Sequence, residues 1–224
     1  MVAGKFTGFG EHAIDFYDGL NADNSKAYWT DNKETYESDV RAPMQALLDD
    51  LVGEFGDFGS SKIFRPYRDV RFGKDKTPYK NHCGGVVETG RGAGAFYVQL
   101  SSDGLLVAGG AFHCEPDQLR RMRESIADDR RGNDLAGVLD KLRKQDWTIK
   151  GEQLRTTPKG YEKDHPRIEL LRYKSLYASV IYEPDDALHE PETVKRVRGR
   201  WRQVRALNEW TADHVGRPDP VDAR

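Results

Sequence analysis

The run "AFYVQLSSDGLLVAGGAFH", residues 95–113, constrains the fold more than any other stretch. Phe96, Val98 and Leu100 alternate with Tyr97, Gln99 and Ser101, the period of two that gives a strand one buried face. "SSDG" is a turn signal, and "LLVAGGAFH" reads as a second strand, so a β-hairpin is expected. "CGGVVETG" is expected to pair with it, with "RGAG" turning the chain between them.

On both sides of this centre the spacing becomes helical. Ala13, Phe16, Tyr17 and Leu20 mark a first helix, and "NADNS" breaks it. Asn24 is the expected N-cap of a second helix carrying Trp29, Tyr36 and Val40. Pro43 ends that helix or opens another, whose stripe is Met44, Leu47, Leu48, Leu51, Val52 and Phe55. Beyond the hairpin, Pro116 starts a helix with Leu119, Met122 and Ile126, and Leu135, Val138, Leu139 and Leu142 mark the next. Short strands are expected near residues 147–149 and 153–156, then a short helix in "HPRIELLRYKSL" and a strand in "YASVIYE". Residues 191–215 form a long amphipathic helix with Val194, Val197, Trp201 and Val204 on one face. This order implies an α+β fold: a central antiparallel sheet, with helices at the N-terminus, after the hairpin and at the C-terminus. One domain is expected over residues 1–215, with a disordered tail at 216–224.

The chain has 224 residues, 35 basic and 37 acidic, and a net charge of −2. Such balance argues against bulk electrostatic binding to nucleic acid or membrane and leaves room for a local basic patch. Two cysteines, Cys83 and Cys114, are too few for a disulfide scaffold. Glu11, Asp15 and Asp18 stand where a signal peptide needs an apolar run, and no stretch approaches the roughly 20 apolar residues of a membrane span. A cytoplasmic protein with no membrane partner is the expectation.

Against that balance, "KIFRPYRDVRFGKDKTPYKNH", residues 62–82, is strongly basic. As a strand over 62–72 it places Phe64, Arg68, Val70 and Phe72 on one face and Ile63, Arg65, Tyr67, Asp69 and Arg71 on the other. Arg68 would then be buried and paired with a carboxylate, that of Asp69 or one from a neighbouring strand. Pro66 has no N–H, so the strand is an edge strand or two short pieces, and "GKDKTPYK" is a loop. Two readings stand side by side. The box is an ion-pair network holding an edge strand, or it is a site for an anionic small molecule, phosphorylated or not. In the second, Arg68 and Arg71 grip the anion, with Arg65 a further binding candidate, Lys76 and Lys80 close over it, Asp69 and Asp75 orient the cations, and Tyr79 donates a hydrogen bond or walls the pocket.

"RDVRFGKDKTPYKNH" resembles the signature of domain-of-unknown-function family 2461, a group of bacterial and fungal proteins, at Arg68, Asp69, Arg71, Phe72, Asp75, Lys76, Thr77, Pro78, Tyr79 and Lys80. It departs at Gly73, where that family usually has serine. "NSKAYWTDNKETY", "LVAGGAFH" and "LRTTPKGYEKDHPRIELLRYKSLYA" are similar to further segments of the same family, with Asp23 in place of an early asparagine. The resemblance implies a polar site and brings no reaction, substrate or cofactor.

In "PKGYEKDHPR", Lys159, Tyr161, Asp164 and His165 gather a cation, a phenol, a carboxylate and an imidazole. His165 is a weak acid/base candidate, and Asp164 with His165 equally suits a cap for a helix starting at Pro166. Lys159, Tyr161 and His165 are expected to share one site with the basic box. His82–Cys83 and His113–Cys114 have poor spacing for zinc, and Cys114 is a weak nucleophile candidate, so no metal, cofactor or catalytic residue is assigned. On the last helix, Lys195, Arg196, Arg198, Arg200, Arg202 and Arg205 make a solvated face or a surface for nucleic acid or an acidic protein, the alternative to a small-molecule site. Whether the protein is an enzyme, and its oligomeric state, stay open.

Overall fold

A computed structural model of the chain describes residues 5–56, 60–69, 71 and 76–220. The elements run in order: α1 (Ala13–Ala22), α2 (Lys26–Asp31), α3 (Lys33–Thr35), a π-helical segment (Tyr36–Arg41), α4 (Ala42–Phe55), β1 (Ser61–Ile63), β2 (His82–Glu88), β3 (Gly94–Ser101) and β4 (Gly104–Ala111). Then follow α5 (Pro116–Ala127), α6 (Asp129–Arg143), β5 (Thr148–Lys150), α7 (Ile168–Leu171), β6 (Leu176–Tyr182), a 3-10 turn (Asp186–His189) and α8 (Glu192–His214). The strands form one antiparallel sheet in the order β1-β2-β3-β4-β6-β5, and the fold is α+β as the change of period implies. No helix among the described residues is long and apolar enough to cross a membrane.

The chain divides into two compact units: Met1–Val87 with Tyr97–Val107 and Ile181–Gly199, and Glu88–Phe96 with Ala108–Val180 and Arg200–Arg224. In the first unit, α1 buries Ala13, Phe16, Tyr17 and Leu20, as its spacing requires. Its N-terminus is capped from a distance, because Asp39 Oδ2 accepts from the His12 N–H at 3.1 Å. Ser25, and not Asn24, caps α2, accepting from the Tyr28 N–H at 3.2 Å. The Asn24 side chain is committed elsewhere, to Tyr79. The single helix expected through Val40 is instead segmented, and Pro43 sits in the first turn of α4, where its missing N–H costs nothing. Of the α4 stripe, Met44, Leu47, Leu48, Leu51 and Phe55 are buried. Gly85 in β2 gives α4 its approach: a Cβ there would meet Leu48 Cδ1 at 2.8 Å.

In the second unit, Phe96, Met122, Ile126, Leu135, Leu139, Leu142, Trp147 and Trp201 are buried. Gly109 lets the last helix come close, since a Cβ there would meet Val204 Cγ1 at 2.6 Å. Asp128 caps α6, accepting from the Arg131 N–H at 2.9 Å. The strand expected near residues 153–156 is reduced to one isolated pairing, Gln153 with Tyr173. Residues 216–220 are among those described: Arg217 Nε donates to Gly90 O at 3.0 Å, and the Asp219 N–H to Asp117 Oδ2 at 2.8 Å.

Candidate functional site

The basic box lies in the first unit, on the continuation of the β1–β2 pair. Ser61, Lys62 and Ile63 pair with Val87, Val86 and Gly85, and the Phe64 N–H reaches Gly84 O at 2.9 Å. The ladder then breaks. It resumes as an isolated Tyr67–Tyr79 pairing, with the Arg68 N–H on Pro78 O at 2.9 Å and the Lys80 N–H on Pro66 O at 2.7 Å. Pro66 explains the interruption: its nitrogen cannot donate, although its carbonyl accepts. The expected strand over 62–72 is therefore two short pieces at the sheet edge. Its alternating faces do not hold, for Phe64 is 36% exposed where a buried position was expected. Arg68 is half-buried. Asp75, Val70 and Phe72 lie outside the described residues.

A second anchor comes from the N-terminal helices. The Asn24 amide donates to Tyr79 O at 3.1 Å and accepts from the Tyr79 N–H at 3.0 Å, so one side chain holds both backbone groups of one residue. The Tyr79 ring is buried and stacks on Trp29, centroids 4.3 Å apart at 7°. Tyr67 leans on both rings, 6.1 Å from Trp29 and 5.6 Å from Tyr79. The Tyr79 ring thus packs inward against Trp29, and the backbone on either side of it carries the charges.

Those charges are unevenly disposed. Asp69 and Arg71 form a bidentate pair (Nε–Oδ1 2.9 Å, Nη2–Oδ2 2.6 Å) that is exposed, and its guanidinium holds the Asp69 carboxyl below its ordinary value. Asp69 is thus engaged with Arg71. Arg65 and Lys76 are exposed, and Lys80 is half-buried with its ammonium 5.5 Å from the centre of the Phe64 ring. Burial pushes the Lys80 ammonium toward neutrality, and Arg65 and Arg68 add to that while Cys83 opposes it. His82 is also pushed down, by burial first and then by Lys80 and Arg68.

Behind His82 lies a set of tyrosines that the sequence reading did not connect with Cys83. Cys83 is buried and reduced, and its thiol is pushed up to about 11, mainly by burial. Tyr17, Tyr36 and Tyr97 surround it electrostatically, and burial raises all three phenols. The Tyr17 hydroxyl has no hydrogen-bond partner among the described residues, and that of Tyr36 neighbours the Cys83 sulfur without a hydrogen bond of ordinary geometry. Tyr36 opens the π-helical segment, a distortion frequent at functional sites. The Tyr97 ring fits because position 84 is glycine: a Cβ there would meet its hydroxyl at 2.4 Å. The missed signals were the double glycine after Cys83 and the asparagine of "DNS".

Lys159, Tyr161 and His165 belong to the second unit. Thr157–Asp164 line a surface depression in which Lys159 is exposed and Tyr161 half-buried. His165 is half-buried, and its Nδ1 accepts from the Arg167 N–H at 3.0 Å. The helix there starts at Ile168, two residues later than Pro166. Arg167, unremarked in the sequence, is buried and donates to Ile126 O (2.7 Å), Asn133 Oδ1 (3.0 Å), Ala127 O (3.0 Å) and Asp129 Oδ1 (2.8 Å). Gly132 makes the room, for a Cβ there would meet Arg167 Nε at 2.4 Å. This segment is organised around a structural arginine.

The remaining candidates are engaged or muted. Burial lifts the Cys114 thiol to about 11, so little thiolate exists at neutral pH. Among the described residues no group of three or more His, Cys, Asp or Glu side chains is placed to hold a metal. Arg196 pairs with Asp185 at 2.8 Å, Arg198 with Glu54 at 3.3 Å and Lys195 with Glu192 at 2.8 Å, while Arg200 donates to Gln145 O at 2.7 Å. These four cations of the last helix thus have partners within their own unit.

Residues 12–210 match the family model described as "Conserved hypothetical protein (DUF2461)", a span covering most of the chain. No curated protein and no solved structure matches it.

Proposed function

We propose that this chain, which belongs to the conserved hypothetical protein family DUF2461, uses its basic box to bind an anionic small molecule, above all a phosphorylated one. The observation that carries the reading is a crowd of like charges on a braced backbone. Lys80 and His82 are pushed toward neutrality, each by burial first, then Lys80 by Arg65 and Arg68 and His82 by Lys80 and Arg68. Two inter-strand hydrogen bonds and the Asn24 clamp hold the backbone that carries them. Bringing like charges together costs free energy, and a bound anion would offset it. Half-burial strengthens their attraction for that anion by lowering the local dielectric. Arginine forks suit phosphate oxygens in particular. The exposed Asp69–Arg71 pair at the rim is of the weakly stabilising kind and can open toward a ligand at little cost.

Thermal unfolding with inorganic phosphate, pyrophosphate and ribose 5-phosphate tests the reading. A ligand at about 100 times its Kd adds about 2.7 kcal/mol to the folded state, so Tm rises by several degrees. Lys76→Ala combined with Lys80→Ala is expected to abolish the shift while leaving the unliganded Tm unchanged or higher, because Lys80 sits among like charges. Absence of any shift with all three anions at millimolar concentration would refute an anion site.

A further inference from the structure

Among the described residues three large hydrophobic side chains are exposed, and two of them, Phe64 (36%) and Tyr67 (49%), stand three positions apart inside the box. Neither ring is loose. Phe64 has the Lys62 ammonium 5.7 Å and the Lys80 ammonium 5.5 Å from its centroid, and the Tyr97 ring 6.3 Å away. Tyr67 rests against the Trp29–Tyr79 stack, and its backbone is pinned by the pairing with Tyr79. A nearly half-exposed aromatic ring that is fixed in place loses little conformational freedom when something stacks on it. Arg65 and Arg68 flank Tyr67 in the chain, and a guanidinium plane both binds phosphate and lies flat on heterocycles.

We infer that the anion bound by the box carries a planar heteroaromatic ring, as a mononucleotide does, with the ring stacked on the exposed face of Tyr67 and the phosphate among Arg65, Arg68 and Lys80. The inference rests on the anion-binding reading above and narrows it. Stacking on a fixed aromatic is tolerant of base identity, so no preference among bases is implied. A single nucleotide fits better than a polymer. The chain's net charge of −2 supplies no field for a polyanion, and four cations of the last helix are paired within their own units.

The test is calorimetric titration of the full chain with adenosine 5′-phosphate, ribose 5-phosphate, adenosine and hexathymidylate, for the wild type, Tyr67→Ala, Tyr67→Phe and Lys80→Ala. Adenosine 5′-phosphate is expected to bind at least about tenfold more tightly than either ribose 5-phosphate or adenosine, the scale of one base stacked on one ring. Tyr67→Ala should erase the advantage over ribose 5-phosphate and leave the latter's affinity unchanged. Tyr67→Phe should keep the advantage, and Lys80→Ala should weaken both phosphates alike. Equal affinity of the wild type for the two phosphates overturns the ring while sparing the anion site. Equal affinity for adenosine and its phosphate, or no binding by either phosphate, overturns both. Hexathymidylate binding more than about a hundredfold tighter than the mononucleotide overturns the single-nucleotide inference in favour of a strand.

Discussion

The basic box and the "PKGYEKDHPR" segment are the two polar candidates of the sequence, and they handle buried positive charge in opposite ways. At Arg167 the guanidinium is enclosed, and its nitrogens meet two backbone carbonyls, an asparagine and a carboxylate. In the box, Lys80 and His82 are half-buried beside further cations. A cation enclosed by oxygen acceptors is finished, and its use is architectural. Cations brought together on a braced backbone repel one another, and a bound anion would relieve that repulsion. The difference teaches which polar cluster to test for ligands, a distinction that residue types do not make.

The largest expected effect falls on the finished site. Arg167→Ala strips partners from the Ile126 and Ala127 carbonyls and leaves a hole, so a loss on the order of 3 kcal/mol is expected in urea unfolding. Gly132→Ala should destabilise comparably, because its methyl group invades the space of Arg167 Nε. Phosphate is expected to raise Tm in both variants as in the wild type. Losses below about 1 kcal/mol would make Arg167 a loosely held surface charge and dissolve the contrast.

Asn24→Ala comes next, at about 2 kcal/mol, since it orphans both the N–H and the C=O of Tyr79. Unlike the Arg167 variant, it should also weaken phosphate binding, because the clamp braces the backbone that carries Lys80. A variant that loses stability but binds phosphate as the wild type does would make the clamp purely structural.

A smaller effect appears in the pH dependence. The folded-state pKa of His82 lies below its ordinary value near ~6.5, through burial first and then Lys80 and Arg68. Between the two values the unfolded chain holds more protons, so stability rises with pH across that window and is lost on acidification below ~6.5. His82→Gln removes this contribution and should therefore gain on the wild type as pH falls from 7.5 to 5. A bound anion should shrink the same slope, because it favours the protonated ring. A gap between variant and wild type that stays constant over this range would mean that His82 does not feel the cationic cluster.

Much of the fold was legible in periodicity. The hairpin of residues 95–113 and the stripes of α1, α4, α5 and α8 stand where alternation and helical spacing put them, because burial of one face decides those elements. The box was legible as a place but not as a geometry. Pro66 announced a broken strand, yet which partners Phe64 and Arg68 would find depended on the resumed pairing of Tyr67 with Tyr79. Asn24 looked like a cap because local preferences point that way, whereas its partner lies 55 positions on. Arg167 drew no notice for a similar reason: its acceptors sit around the α5–α6 junction, some 34 to 41 positions away. Side-chain clamps between distant segments leave no period to read.

The smallest effect, with the opposite sign, belongs to the phenols behind the box. The Tyr17 hydroxyl is buried without a hydrogen-bond partner among the described residues, and burial is the main reason that its pKa is raised. Removing an unsatisfied buried hydroxyl returns its desolvation cost and leaves a void of only one oxygen atom. Tyr17→Phe should therefore leave stability unchanged or raise it by up to about 1 kcal/mol. Tyr97→Phe is the control, because that hydroxyl donates to Gln99 Oε1 at 2.9 Å, and its loss should cost about 1 kcal/mol. The two substitutions are chemically identical and sit in one electrostatic group around Cys83, so only the presence of a partner separates them. Should Tyr17→Phe instead lose as much as Tyr97→Phe, the Tyr17 hydroxyl has a partner in solution. A buried water is the simplest such partner, and the polar interior behind His82 would then be wet.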